Sequence, residues 1–413
     1  MPRALVVADD LTGAIDTAHA FAARGYRTRV QVDPGRAPPD STVLALNTDS
    51  RYADPETAAE RVRRAIEAID APVVYKKVDS TLRGNVVSEV RSALDTGFDY
   101  GLFAPASPAV DRRTAGGYHL VEGRLLSDTE YADDPNGPAS DHLPTLVGVE
   151  RASHLGIETV AAGSEPIRAA TADAPLGTLF TCDTTHDRHL EAIARAGRGL
   201  DPRPLYAGSG GLARHVSVPG EPDGEPRRIA SHGGALGIVG SVSERSLDQL
   251  AALPEGWLIA LDPVGLLSDP DSAGEEAGRR AAGRLANGEH VVVTAAPDRE
   301  TVDRTLAVGR AAGFEEGAIR SRVASALASA ARTGFDADPA GLFVTGGDVA
   351  MAVFDALDAR TLSLTGRAVE AGIPVSRLRG GSADGTPVVS KAGGFGGRET
   401  AVNCLRYLGG DHE

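Results

Sequence analysis

At 413 residues the chain exceeds what one hydrophobic core usually supports, so two domains are expected. A hydrophobic fraction of 42% with 24% charged residues excludes a disordered chain, and a formal charge of −15 argues against nucleic-acid and anionic-membrane partners, which need a basic face. Only Cys182 and Cys404 are present, far apart, so neither a disulfide framework nor a zinc site is indicated, and both read as small core residues.

The chain opens on a short apolar run, Ala4–Ala8, which Asp9 and Asp10 stop well short of a secretory or membrane-spanning length; a cytoplasmic protein is expected. The run leads through Asp9-Asp10-Leu11-Thr12-Gly13 into an amphipathic helix that Arg24-Gly25 terminates. A second strand over 42–46 turns at Asn47–Arg51 into a helix opened by Asp54-Pro55-Glu56 and running to about Ile69. A third starts at Pro72–Tyr75, passes through the polar loop Lys76–Asn85 and continues as the helix Val86–Leu94. Tyr100–Ala104 is a fourth, followed by a long stretch to about Pro144 whose turn residues predict a hairpin and a flap.

Thr178–Thr181 is a further strand, with a helix over His186–Ala196. Cys182, His186 and His189 are a weak metal set, because the histidines sit on the first turn of an amphipathic helix. The run 205–211 closes the first half, and the Pro-, Gly- and Arg-rich stretch that follows is read as a linker, giving domains 1–217 and 235–413 joined by 218–234. The second half repeats the grammar: 236–239 into Gly240-Ser241-Val242-Ser243, 342–344 into Thr345-Gly346-Gly347-Asp348, and 387–390 into Lys391-Ala392-Gly393-Gly394-Phe395-Gly396. Apolar run, glycine or polar turn and helix-period segment alternate throughout. The expected fold class is therefore α/β, two doubly wound, mostly parallel-sheet domains with a cleft between them.

In such sheets ligands lie beyond the carboxyl ends of the strands. Asp9 and Asp10 at a strand end either accept bonds from substrate hydroxyls, hold magnesium, act as a base, or cap the helix. The loop Lys76–Asn85 gathers ammonium, guanidinium, carboxylate, hydroxyl and amide groups, an inventory suited to gripping a carboxylate and several hydroxyls. Arg51 pairs with a substrate acid group or forms a surface ion pair. Lysine occurs only at positions 76, 77 and 391 among 42 basic residues, so an ammonium is specifically required there. In the second half the glycine turns and helix N-termini suit phosphates, with Lys391 as a mobile positive charge, although neither the P-loop nor the dinucleotide fingerprint is present.

Ala8–Ala14, Lys-Lys-x-Asp-Ser-Thr-Leu-Arg-Gly-Asn at 76–85, Gly116–Val121 with Asp134-Pro135, and the glycine turns at 208–212, 240–243, 345–348 and 391–396 resemble, in order and over nearly the whole chain, the four-carbon acid sugar kinases. These phosphorylate acids such as threonate, erythronate and 3-oxo-tetronate. The resemblance implies an N-terminal acid-sugar domain and a C-terminal ATP domain in which Ser241, the Gly346–Val349 turn and Gly394 contact ATP. One departure is Pro105-Ala106-Ser107-Pro108 followed by Val110-Asp111-Arg112, where the family has Pro-Ala-Phe-Pro and Asn-Gly-Arg.

The resulting expectation is an ATP- and Mg2+-dependent kinase for a small sugar acid. Arg51, Lys77 and Arg83 hold the substrate carboxylate; Asp9 and Asn85 orient hydroxyls, with Ser80 lining the same pocket; Asp79 or Asp10 is the base. Ser241, Ser243, Gly346, Gly347, Asp348, Val349, Lys391, Gly393 and Gly394 bind ATP from the opposite lobe across the cleft. Metal ligands are not assignable from the sequence, and a homo-oligomer is compatible with it. Two other readings are a nicotinamide-dependent hydroxy-acid dehydrogenase, against which the missing dinucleotide fingerprint counts, and a non-catalytic sugar-acid sensor.

Overall fold

A computed structural model describes residues 1–32, 40–148, 151–226 and 232–411. The chain forms two compact units, Met1–Gly224 and Glu225–Glu413. Part of the expected linker, 227–231, lies outside the described residues. Residues 219–223, also within the expected linker, bond to the first unit: Arg3 donates to the carbonyls of Pro219 and Glu221, and Asp223 accepts from the Arg27 amide at 2.7 Å and Thr42 Oγ1 at 2.9 Å.

The strands of the first unit are β1 (Ala4–Ala8), β2 (Thr28–Gln31), β3 (Val43–Asn47), β4 (Val73–Lys77), β5 (Tyr100–Ala104), a small antiparallel set β6 (Arg112–Ala115), β7 (Tyr118–Val121) and β8 (Arg124–Leu125), then β9 (Ala152–Leu155), β10 (Thr178–Cys182) and β11 (Leu205–Gly208). The main sheet runs β2-β3-β1-β4-β11-β5-β10-β9, parallel throughout. Its strands are apolar on both faces because helices cover both; β1 is buried at every residue. Local signals place the helices. Asp10 caps Leu11–Ala22 by accepting the Gly13 amide at 2.8 Å, and Asp54 caps Pro55–Glu67 through Thr57.

The second unit contains β12 (Leu236–Val239), β13 (Leu258–Ala260), β14 (Val291–Thr294), β15 (Leu342–Thr345), β16 (Thr361–Glu370), β17 (Ile373–Arg379) and β18 (Pro387–Lys391). The order β13-β14-β12-β15-β18 is parallel, and β17 and β16 extend it antiparallel. Cys182 and Cys404 are both buried and free, as core residues. Among the described residues no helix is long and apolar enough to cross a membrane.

Both units share one device. The first strand of each (β1, β12) sends the chain to one side of the sheet, while its neighbours (β3 and β4, β14 and β15) send theirs to the other. With right-handed crossovers the flanking helices then lie on opposite faces, and the loops diverge to open a crevice. In the first unit that crevice is bounded by Asp9-Asp10, Ser50-Arg51 and Lys77–Arg83; in the second by Gly240–Ser243 and Thr345–Asp348.

Candidate active site

In the first unit the crevice is lined by alternating charges. Arg51 is clamped by carboxylates: its Nε lies 2.7 Å from Asp9 Oδ2, Nη2 3.1 Å from Asp9 Oδ1, and Nη1 3.0 Å from Asp10 Oδ2. Arg51, expected to grip the substrate carboxylate, thus spends Nε and both terminal nitrogens on two carboxylates from the adjoining strand end. Burial pushes both aspartates up. For Asp9, Arg51 and then Lys76 outweigh that and hold its pKa below the ordinary value, whereas Asp10, facing Arg51 but also Asp9, stays above it. Two neighbouring carboxyls with their proton affinities split apart can work as an acid and a base.

Asp79 accepts Thr81 Oγ1 and Arg83 Nε, the latter at 2.7 Å. Burial raises its pKa, but Arg51 and Arg83 outweigh it and hold the carboxyl well below the usual range. So firm a carboxylate is a poor proton acceptor, which favours Asp10 over Asp79 as the base. Arg83 spends Nε on Asp79 and stacks over Tyr131 at 5.3 Å, while its Nη1 is 3.9 Å from Asp134.

Lys77 is buried, donates to the Val78 carbonyl at 2.8 Å and acts on Asp9, Asp10 and Asp79. Asn85, expected to orient hydroxyls, donates its side-chain amide to the carbonyls of Ser50 at 2.9 Å and Ala53 at 2.8 Å and so shapes the Arg51 loop. Gly84, at φ +90°, passes so close that a β-carbon would stand 3.2 Å from both Arg51 Cγ and Asp9 Oδ2.

Several participants escaped sequence reasoning. Asn136 donates to the Arg51 carbonyl at 2.8 Å and accepts the Gly84 amide at 2.8 Å, while Tyr52 reaches Asp134 at 3.2 Å. The neighbouring Asp134-Pro135 was the available signal. His119, expected on a flap, is fully buried: Nε2 donates to the Ser80 carbonyl at 2.8 Å, and Nδ1 accepts from Thr114 Oγ1 at 3.0 Å. The hairpin β6–β7 is present, but Asp183 anchors its turn by accepting the Gly116 and Gly117 amides, each at 2.8 Å.

Burial pushes the His119 pKa down to about 4. The unfolded chain protonates this histidine near ~6.5, so the neutral folded state is fully favoured above that pH and is penalised as pH falls from there toward 4. The expected loss is at most about 3 kcal/mol. Denaturation midpoints across this window should fall more steeply for the wild type than for His119→Gln; parallel curves would contradict it.

In the second unit the loops after β12, β15 and β18 meet. Ser243 caps the helix Glu244–Ala251 by accepting the Ser246 amide, and its hydroxyl donates to the Gly393 carbonyl at 3.0 Å. Ser246 Oγ lies 2.9 Å from Ser241 Oγ and 3.1 Å from the Gly393 carbonyl, so its one proton serves one of the two. Ser243, expected as an ATP ligand, is thus spent on the fold. Gly346, at φ +99°, opens the helix Gly347–Ala356, whose first amides point into the crevice beside exposed Gly347 and Asp348; the Val349 side chain is buried, so it offers only its amide.

Lys391 is a further correction. It is 1% exposed, and Nζ donates to the carbonyls of Ala392 at 2.9 Å, Gly393 at 3.3 Å and Phe395 at 3.1 Å, so it is no mobile arm. Burial pushes its pKa down to about 8. Gln249 takes the Phe395 and Gly397 carbonyls. The carbonyls of Ala392, Gly393, Phe395 and Gly397 are thereby all engaged by Lys391 and Gln249.

Alternating charges at the strand ends of one α/β unit, with glycine turns leading into helix N-termini in the other, are an arrangement that fits a small-molecule phosphotransferase. A family model described as a sugar-binding N-terminal domain matches residues 4–216, and one described as a nucleotide-binding C-terminal domain matches 236–401. The D-threonate kinase of Bordetella bronchiseptica is 33% identical over 98% of this chain and 96% of the relative. The D-erythronate kinase of Heliobacterium modesticaldum is 30% identical (99% and 97% covered), and the 3-oxo-tetronate kinase of Methylobacterium radiotolerans 32% (97% and 98%). Among solved structures, Haemophilus influenzae protein HI1011 is 19% identical with a TM-score of 0.76, covering 98% of this chain and 99% of that one, and shares the fold. The chain belongs to the four-carbon acid sugar kinase family. That membership sets aside the dehydrogenase and sensor readings.

Proposed function

We propose that the protein transfers the γ-phosphoryl group of ATP to a hydroxyl of a four-carbon sugar acid of the threonate, erythronate or 3-oxo-tetronate type, in the cytoplasm. Residues 1–217 serve as the acid-sugar-binding domain, 235–413 as the nucleotide-binding domain, and 218–234 join them. The observation that carries this reading is the set Asp9, Asp10, Lys77, Asp79 and Arg83 at the switch point of the first sheet. Three carboxylates face three cations there, Arg51 included, which matches a ligand presenting several hydroxyls and a single acid group.

In this reading the terminal nitrogens of Arg83, with Lys77, receive the substrate carboxylate. Asp9, Asp79 and Ser80 order hydroxyls, and Asp10 takes the proton of the attacking one. Arg51 keeps the aspartate pair in place. The amides of Gly347, Asp348, Val349, Gly393 and Gly394, with Ser241, cradle the nucleotide phosphates. Among the described residues no cluster of three or more His, Cys, Asp or Glu forms a cage for a metal. Mg2+ fits without one, since it binds through one carboxylate plus substrate phosphates; Asp348 would hold it, and the ion would neutralise phosphate charge.

ADP release should be measured with D-threonate, D-erythronate and 3-oxo-tetronate for the wild type, Asp10→Asn and Asp79→Asn. Turnover of at least one acid is expected. Asp10→Asn should lower kcat at least 100-fold, whereas Asp79→Asn should chiefly raise the acid's KM. Absence of ADP release with every acid overturns the activity, and an undiminished kcat in Asp10→Asn overturns the choice of base.

A further inference from the structure

Beneath the Asp9–Arg51 clamp lies a second polar set that no step of the proposed reaction uses. Lys76, in β4, is fully buried, and its Nζ pairs with Glu89 Oε2 at 2.9 Å; Glu89, on the first turn of the helix Val86–Leu94, is 2% exposed. Glu89 Oε1 accepts Ser50 Oγ at 2.5 Å, Ser50 Oγ lies 2.7 Å from Thr48 Oγ1, and Thr48 donates to the Ala8 carbonyl at 2.9 Å. Lys76 Nζ also donates to the Lys77 carbonyl at 2.5 Å.

The chain of bonds therefore joins three strand ends and a helix, and its anchor points stand one residue before the site residues: Ala8 before Asp9, Ser50 before Arg51, Lys76 before Lys77. In β4 successive side chains point opposite ways, so Lys76 held on one side sets where Lys77 projects on the other, while the bonds to Ser50 and the Ala8 carbonyl fix the backbone next to Arg51 and Asp9. A buried ion pair adds little net stability, and apolar residues of similar volume often serve folding equally well. Its position under the site calls for another role.

We infer that Glu89 and Lys76 are positioning residues for phosphoryl transfer: they lock the ends of β1 and β4 and the loop after β3 so that Asp9, Arg51 and Lys77 meet the sugar acid in one geometry. This rests on the reading of the first unit as the sugar-acid site. Neither residue touches the substrate.

The full chain carrying both Glu89→Gln and Lys76→Met removes the two charges while keeping their volume. Near-wild-type thermal stability is expected, with ATP KM within about twofold and kcat/KM for the sugar acid down at least tenfold. Amide exchange at 48–51 should also accelerate at least tenfold, while that of the second unit does not change. Ser50→Ala cuts only the Ser50 arm; should the double variant fail to fold, this one should still raise the acid's KM severalfold at unchanged melting temperature. Wild-type kcat/KM together with wild-type exchange in a folded variant would reduce the chain of bonds to scaffolding and overturn the inference. A wild-type protein inactive on every acid counts against the substrate reading alone, because the exchange experiment still decides whether Glu89 and Lys76 order the loop.

Discussion

Arg51→Met is expected to lose at least 1000-fold in kcat/KM for the sugar acid and to fold less stably by about 3–5 kcal/mol at pH 7, the usual cost of leaving a buried charge without its partner. Arg51 is the cation between Asp9 and Asp10, and Asp9 is almost wholly buried. Without the guanidinium, burial and mutual repulsion drive an Asp9 or Asp10 carboxyl to take up a proton near neutrality. The sign follows. In the variant a carboxyl whose folded pKa is raised penalises the fold above that pKa, and the penalty fades as pH falls, so the gap to wild type in urea denaturation should narrow from pH 8 to pH 5. A gap that does not change with pH would mean that Arg51 contributes packing alone. Arg51→Lys should recover little activity, since an ammonium cannot make the paired contact with Asp9 while also reaching Asp10.

Gly393→Ala is expected to raise the KM for ATP at least tenfold while changing sugar-acid binding, followed by calorimetry, less than twofold. A β-carbon at Gly393 would run into Ser241 Oγ and stand 3.1 Å from Ser243 Oγ. Those hydroxyls are held in place, because Ser246 Oγ lies 2.9 Å from Ser241 Oγ and Ser243 donates to the Gly393 carbonyl. The loop must lift, and the amides of Gly393 and Gly394, proposed to cradle the phosphates, move with it. Gly397→Ala is the control: open space surrounds that position, and its KM for ATP should stay within twofold of wild type. Equal effects of the two substitutions would place the anion-binding amides elsewhere.

The strand-then-turn signals were strong enough to place Tyr100–Ala104 and Val86–Leu94 to the residue and to find most helix starts, since caps such as Asp54-Pro55 act over a single turn. What escaped was whatever depends on distant neighbours. β13 and β14 are only three and four residues long, and the antiparallel pair β16–β17 is defined by its partner strand. Both units place their first strand third in the order of their first four, a topological repeat that leaves no trace in sequence periodicity.

The three lysines show where the division lies. An arginine-rich chain that retains lysine at 76, 77 and 391 announces that a compact ammonium is needed there; composition determined that much, and the alternation of apolar runs, turns and helix-period segments determined the α/β class and the loops at strand ends. Why it is needed was decided by the tertiary structure. Each lysine ends buried at the carboxyl end of a strand, with Nζ donating to main-chain carbonyls and, for Lys76, paired with Glu89. Likewise Asp9, Asp10 and Arg51 are legible as site residues, but that they neutralise one another follows from β1 and β3 lying side by side. Residue type sets which interactions a side chain can make; only packing selects the partner, because the energy of a charge pair depends on separation and burial, which distance along the chain does not encode.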